Sequence, residues 1–497
     1  MARDIFRKAF SFPVALGFVV ALWVFLAAGY TVWDPDIWWH LRNAQYLFAH
    51  HQFPAADMYS FTVAGHPWMN HEWLAEIPYY LAWRADGAQG LYALFLSLLV
   101  LIQLGIFHWA SRESGNMKGA FLVSCLSVFL TIVSFGPRTI LFGYIFIILL
   151  LLILSRYRST GRAPLWVLPP MFCLWINTHG SWLLGLILFA NYIVTGLVGG
   201  SWGRVDAVRW TPPQLRRLLV TAGASVAALF VNPFTYRLVA YPFDLAFRQK
   251  LNIQHVDEWA SVDFNDARGK VVLVLLAIIL LGALLSPMRW KLEELGLALF
   301  GLLMGLTHIR FLFLAAILLA PLITKMVDFI PPYRPEIDKP LLNAVICVGI
   351  ALVFLFRFPS RTELDAAIAK RYPVNALEFV KAHDLSGNFF NRYMWGGYMI
   401  LFSPQVKTFV DGRTDIFEYA GVLKDYIDAE QMRDSLRVLD KYRIRYVLTS
   451  PGFPLAYLLK NHPGWKLIFT DQVAMIFERA SAAQEGPPSN PPVGGSL

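Results

Sequence analysis

Apolar runs recur along the whole chain at close to membrane-spanning length, and short loops rich in Arg and Lys separate them. A bilayer crossing needs roughly 20 apolar residues, and about eleven runs reach or approach that length. They lie near Phe12 to Tyr30, Leu91 to Ala110, Ala120 to Phe135, Thr139 to Ser155, Pro164 to Ile176, Ser181 to Gly199 and Leu218 to Val231. The rest lie near Val271 to Ser286, Leu295 to Thr307, Phe311 to Met326 and Leu341 to Phe356. With 57% hydrophobic and 15% charged residues among 497, no soluble fold could bury them all. The pattern predicts an α-helical polytopic membrane protein, its shorter runs borrowing flanking residues or sitting in thinned lipid.

The formal net charge of +9 does not point to nucleic acid, because the basic residues are spread through loops rather than gathered in a patch. They fall in alternate loops: Arg112 and Lys118, then Arg156, Arg158 and Arg162, then Arg204, Arg209, Arg216 and Arg217, then Arg289 and Lys291, and finally Lys325, Arg334 and Lys339. Positive residues mark the cytoplasmic side. The expectation is a multi-pass protein of the cell (inner) membrane with a cytoplasmic N-terminus and an extracytoplasmic C-terminal domain. The first run is longer than a signal-peptide core and reads as an uncleaved span. Cys125, Cys173 and Cys347 all fall in apolar runs, without metal-ligand spacing, and read as free buried thiols.

The organisation expected is a transmembrane domain over 1–357, with a large first outer loop at 31–89 and a second at 232–270. An extracytoplasmic α/β domain follows over 358–480, then a disordered, Pro/Gly/Ser-rich tail over 481–497. In the first outer loop, Ile37 to His50 and Glu72 to Trp83 have the apolar spacing of interfacial helices, and Ser60 to Trp68 reads as strand or loop ending in a turn. In the C-terminal domain, Asn388 to Asn391, Val406 to Val410, Tyr446 to Thr449 and Val473 to Phe477 read as strands, alternating with helical stretches.

Ionisable residues avoid the middles of the runs, which argues against an ion-coupled transporter. They collect at the predicted outer ends: Asp34, Asp36, His40 and Arg42; His66, His71 and Glu72; Arg138; His179; Asp257 and Glu258; His308 and Arg310. Three tryptophans accompany the first group in Trp33-Asp34-Pro35-Asp36-Ile37-Trp38-Trp39-His40-Leu41-Arg42. A bland reading is a Trp-rich interfacial belt with solvated acids. His179 equally suits a helix cap, and Arg310 a snorkelling anchor or a phosphate clamp. Trp395-Gly396-Gly397-Tyr398 and Asp411-Gly412-Arg413 read either as turns with glycine at positive φ or as sugar or acceptor contacts. No G-x-S-x-G, Walker loop, G-x-G-x-x-G or H-E-x-x-H occurs, and His71-Glu72 lacks the second histidine of a zincin.

The first-loop motif resembles that of GT-C glycosyltransferases, nearest to oligosaccharyltransferase catalytic subunits, in which Asp-Pro is followed by aromatics, Asn or His, and Arg. Aligning Arg42 puts the family aspartate on Asp36; aligning Pro35 puts it on Asp34. Many spans, a large first outer loop and a C-terminal outer domain extend the likeness. Glu258 resembles the glutamate completing that family's site, and Arg310 its phosphate-contacting arginine. Trp395-Gly396-Gly397-Tyr398 lacks the Asp of the Trp-Trp-Asp acceptor motif, and Phe135-Gly136-Pro137-Arg138 lacks the family's paired acids.

The resemblance implies a membrane glycosyltransferase that takes a sugar or oligosaccharide from a polyprenyl-phosphate-linked donor to an extracytoplasmic acceptor of unspecified class. Asp36 would be base or metal ligand, with Asp34 and Glu258 as supporting acids. Arg310, His308, Arg138, His40, Arg42 and His179 would bind substrate or phosphate, and Trp395, Tyr398, Asp411 and Arg413 the acceptor. A divalent Mg or Mn ion on Asp36 and Glu258 is left open. Two other classes compete: a lipid-glycan flippase, whose function would survive Asp36→Asn, and a scaffold subunit, which would depend on its tail and not on its acids.

Overall fold

The computed structural model describes residues 1–255, 257–327 and 329–480. The tail expected to be disordered, 481–497, lies outside the described residues. The chain folds as two compact units: residues 1–54 with 69–367, and residues 55–68 with the chain from 368 onward. The division differs from the expected break after 357. The first unit keeps a further ten or so residues, and the middle of the first loop joins the second unit.

The first unit is that of a multi-pass membrane protein. Among the described residues, six helices are long and apolar enough to cross a membrane: Arg3–Ala28, Trp73–Ser114, Ile140–Thr160, Ala267–Leu285, Ile309–Met326 and Pro340–Arg357. The other expected spans form helices of 11 to 17 residues, Leu168–Thr178, Trp182–Thr195, Met117–Thr131, Leu292–Thr307 and Pro212–Ala228. Leu312–Met326 is buried along nearly its whole length and packs against Leu292–Thr307, Met117–Thr131 and Trp73–Ser114. Inside this bundle Gln103 donates to Thr131 Oγ1 at 2.9 Å and accepts from Ser127 Oγ at 2.9 Å, so its buried amide is satisfied by a neighbouring helix.

Ile37–His50 is helical over the expected range and ends at His51, which takes φ 55. The second interfacial stretch runs on into a span as Trp73–Ser114, with a kink at Asp86 and Gly87. Gly87 has φ 52 and ψ −134, a conformation open essentially to glycine. Beyond the bend, a Cβ on Gly90 would stand 2.1 Å from the Ala82 carbonyl oxygen. The two glycines let the chain turn sharply between an interfacial helix and the span that follows it. A small sheet completes the unit: β1 (Gly200–Trp202) pairs antiparallel with β2 (Val205–Ala207), and β2 pairs parallel with β3 (Trp290–Lys291).

The second unit contains a four-stranded sheet, β4 (Phe389–Asn391), β5 (Tyr446–Thr449), β6 (Trp465–Thr470) and β7 (Met475–Arg479), in the order β4-β5-β7-β6. β4 and β5 are parallel, and the other pairs antiparallel. Val406 to Val410 is not a strand; it is irregular chain that pairs at Thr408 with Ser60. Trp395-Gly396-Gly397-Tyr398 is not a turn either, but lies inside the helix Tyr393–Phe402. Gly396 serves close approach there, since a Cβ would meet the Val410 carbonyl oxygen at 2.3 Å.

Candidate functional site

Asp34 follows the first span, whose helix Phe12–Ala28 ends at Gly29 (φ 53). Its Oδ1 accepts the Asp36 backbone N–H at 3.0 Å, and Asp36 Oδ1 accepts Trp39 Nε1–H at 3.0 Å. Arg138 reaches the same place from the loop before Ile140–Thr160. Its Nε lies 2.6 Å from Asp34 Oδ2, and its Nη1 is ion-paired with Glu258. The loop is pinned, because the Tyr79 hydroxyl donates to the Arg138 carbonyl at 2.8 Å. A Cβ on Gly136 would stand 3.2 Å from the Trp33 carbonyl oxygen, so this loop lies directly on the chain that carries Asp34.

Glu258 is brought in by a segment stitched to the helix pair behind it. Ile309 N–H donates to the Ala260 carbonyl at 2.9 Å, and Val262 N–H to the Leu306 carbonyl at 3.2 Å; Val262 is buried with Leu130, Val272, Leu312 and Ala316. Next to Glu258, the Trp259 ring carries the Arg310 guanidinium on its face, 4.3 Å from the centroid, and meets His308 edge-on at 5.5 Å.

Beside the acids lies a cluster centred on Glu72. His40 Nε2 is 3.4 Å from Glu72 Oε2; His179 Nε2 and His71 Nε2 are 3.4 and 3.7 Å from Glu72 Oε1. His40 Nδ1 lies 2.9 Å from Glu76, which also accepts from Asn43 at 3.1 Å and Asn70 at 2.8 Å. Burial, aided by the neighbouring acids Glu76 and Asp34, lifts the Glu72 carboxyl to about 8, while burial pushes His40 down to about 3 and His71 to about 4. His179 is lowered as well, by burial and by the Arg310 charge. A protonated Glu72 therefore faces neutral histidines: its O–H suits His40 Nε2, leaving Nδ1–H to donate to Glu76. His179 both caps and faces the site, since its Nδ1 accepts the Ser181 N–H at 2.9 Å.

Burial and the adjacent Asp34 charge hold the Asp36 carboxyl well above the usual carboxylate range. Burial opposes the charge on Arg138, but Asp34, Glu258 and Asp36 around it outweigh that, and it is held firmly as a cation. The guanidinium fills the gap between Asp34 and Glu258. Among the described residues no three His, Cys, Asp or Glu side chains stand as a set that could hold a metal ion. These residues do not fit the divalent Mg or Mn ion that the resemblance left open, because a fixed cation already bridges the acids.

Asp34, Asp36, Arg138 and Glu258 are thus brought together, with Arg310 and His308 one residue along from Glu258 at Trp259. Arg42 is turned elsewhere, its Nη1 donating to Gln45 at 2.7 Å. Trp395, Tyr398, Asp411 and Arg413 lie in the interior of the second unit. Trp395 Nε1 donates to the Arg371 carbonyl at 3.0 Å, Tyr398 stacks on Tyr372 at 4.9 Å, and Arg413 sits 2.6 Å from Asp411 and 2.7 Å from Asp57. Glu76, Asn43 and Asn70 escaped sequence reasoning; the signal was a pair of acids, Glu72 and Glu76, one turn apart at the start of an otherwise apolar helix.

No family profile and no curated protein matches the chain. Solved structures do. The Archaeoglobus fulgidus oligosaccharyltransferase, crystallised with a tethered acceptor peptide containing the NVT sequon, superposes with a TM-score of 0.54 at 11% identity, over 96% of this chain and 75% of the other. ArnT from Cupriavidus metallidurans bound to undecaprenyl phosphate gives 0.52 at 13% identity, over 96% and 98%. Its apo form gives 0.50 at 15%, over 98% and 100%. Both are GT-C glycosyltransferases that use polyprenyl-phosphate-linked donors, and at this identity the likeness speaks for the fold. The chain has the GT-C glycosyltransferase fold.

Proposed function

We propose that this protein moves a sugar or oligosaccharide from a polyprenyl-phosphate-linked donor to an acceptor on the extracytoplasmic face, with the N-terminus in the cytoplasm. The observation that carries the reading is the meeting of Asp34, Asp36 and Glu258 around Arg138, reached from three separate parts of the chain. Asp36 takes the acceptor's proton as the acceptor oxygen or nitrogen attacks the anomeric carbon. The bond from that carbon to the phosphate oxygen breaks, and its electron pair leaves with the lipid phosphate. Arg310, with His308, stabilises that departing charge; Asp34 and Glu258 orient Arg138. Trp259 offers an apolar face beside the phosphate site, and the buried residues Trp395, Tyr398, Asp411 and Arg413 frame the second unit rather than contact acceptor.

Mass spectrometry of extracytoplasmic glycans, glycolipids and glycoproteins tests this in cells carrying wild type, Asp36→Asn or no copy. A glycan lost in both the deletion and Asp36→Asn, with Asp36→Asn protein still accumulating in the membrane, is the expected result. An Asp36→Asn strain matching wild type while the deletion differs would overturn the enzyme in favour of a flippase or scaffold.

A further inference from the structure

Asp34 and Glu258, carboxylates from separate parts of the chain, flank one gap, and a divalent cation takes such oxygen ligands at about 2.0 to 2.6 Å. Here the gap holds a side chain. The Arg138 guanidinium stands with Nε 2.6 Å from Asp34 Oδ2 and Nη1 ion-paired with Glu258, and its charge also acts on Asp36. One guanidinium is thus within ion-pair distance of acids from two different parts of the chain. We propose that Arg138 is the resident cation of this centre, standing where a divalent ion would otherwise be held, so that the centre takes up no metal and Arg138 supplies its positive charge.

The chemistry of the two cations explains why the assignment is stable. Arginine does not lose its proton in proteins, so a metal ion cannot displace it by proton competition, as it can with lysine or histidine. Arg138 is also tethered through its backbone, by the Tyr79 hydroxyl at 2.8 Å and by its own N–H to the Gly136 carbonyl at 2.8 Å. With the guanidinium removed, the same carboxylates would be left around an empty gap, and a divalent ion would be the natural replacement. In the sequence, the short outer loop Phe135-Gly136-Pro137-Arg138 carries this arginine and no acid.

The part played by Arg138 in turnover rests on the glycosyl-transfer reading; the exclusion of metal does not. The full chain, purified in detergent and stripped of metal with a chelator, is titrated with Mn2+ and the free ion read by electron paramagnetic resonance. Wild type is expected to leave the free Mn2+ signal undiminished, Arg138→Ala to take up one ion, and Arg138→Ala with Asp34→Asn to lose it again. If Arg138→Ala does not accumulate, Arg138→Gln, which removes the charge and keeps an N–H donor, stands in for it. Uptake by wild type that Asp34→Asn or Glu258→Gln abolishes overturns the proposal, and so does a folded Arg138 variant that gains no ion. If the glycan measurement fails while these titrations hold, the glycosyl-transfer reading falls and the cation assignment stands.

Discussion

Asp34 Oδ2 and Arg138 Nε lie 2.6 Å apart, joining the end of the first span to the start of Ile140–Thr160. Both side chains are largely withdrawn from solvent, and breaking such a pair by removing one partner typically costs about 3–5 kcal/mol. Arg138→Ala is therefore expected to lower the thermal midpoint of the chelator-treated protein. Added Mn2+ should restore much of the loss in the variant and leave wild type unmoved. Equal shifts in both would show that the ion acts elsewhere.

Glu72 and its histidines pull on stability in opposite directions with pH. Burial holds the Glu72 carboxyl at about 8 against 4.5 for the free group, so between those values the folded protein keeps a proton that the unfolded chain releases, and stability falls as pH rises. His40 and His71, at about 3 and about 4 against 6.5, refuse protons that the unfolded chain accepts, so they remove stability as pH drops below 6.5. Melting curves of wild type and Glu72→Gln from about pH 5 to about pH 9 isolate the first effect. The advantage of wild type should shrink up to about pH 8 and then level off. A difference independent of pH would mean that Glu72 is ionised throughout.

Gly87 and Gly90 make a backbone prediction. Gly87→Ala forces a side chain into φ 52, ψ −134, at a cost of about 1–3 kcal/mol. Gly90→Val, facing the Ala82 carbonyl at 2.1 Å from its Cβ position, should be worse. Thermal midpoints in micelles check the order, and a Gly90→Val protein as stable as wild type would show that the bend can straighten.

Arg310→Ala should weaken donor use more than folding. Its half-buried guanidinium stacks on the Trp259 ring, and loss of one stabiliser of developing charge typically lowers turnover by about 100- to 1000-fold. Assay of membranes with a synthetic polyprenyl-phosphate sugar would read that drop; unchanged turnover would remove Arg310 from the phosphate site.

In the second unit, Arg413 is buried between Asp57 and Asp411. Arg413→Met leaves both acids without that cation and is expected to destabilise the unit by about 3–5 kcal/mol. The segment 55–68 should then become sensitive to limited proteolysis. Resistance equal to wild type would mean that the Thr62 hydroxyl bond to the Phe409 carbonyl, at 2.7 Å, and its neighbours suffice to hold it.

Much of the first unit was legible because apolar period and loop charge act locally. Ile37–His50 was readable to the residue, since its apolar positions repeat at helical spacing. Span lengths were less legible, because an apolar run does not show where caps and loops will trim it, as Trp182–Thr195 was trimmed within Ser181 to Gly199. Candidate acids were visible, but their partner was not: nothing local to Asp34 or Glu258 points to Arg138. The Trp395-Gly396-Gly397-Tyr398 helix was missed because glycine was read for its φ, whereas Gly396 answers a close backbone approach that only the folded unit creates.

The place of residues 55–68 within the second unit bears on how the protein is made. Lys407 Nζ donates to the Met58 carbonyl across a sequence separation of 349 residues, and Thr408 and Tyr59 are similarly joined. At about 5–20 residues per second of synthesis, the early segment waits roughly 20–70 s before its partners exist. During that interval Asp57, Ser60 and Thr62 have no second unit to join. The contacts that complete this unit therefore cannot form until the ribosome has made the chain around Lys407 and Thr408.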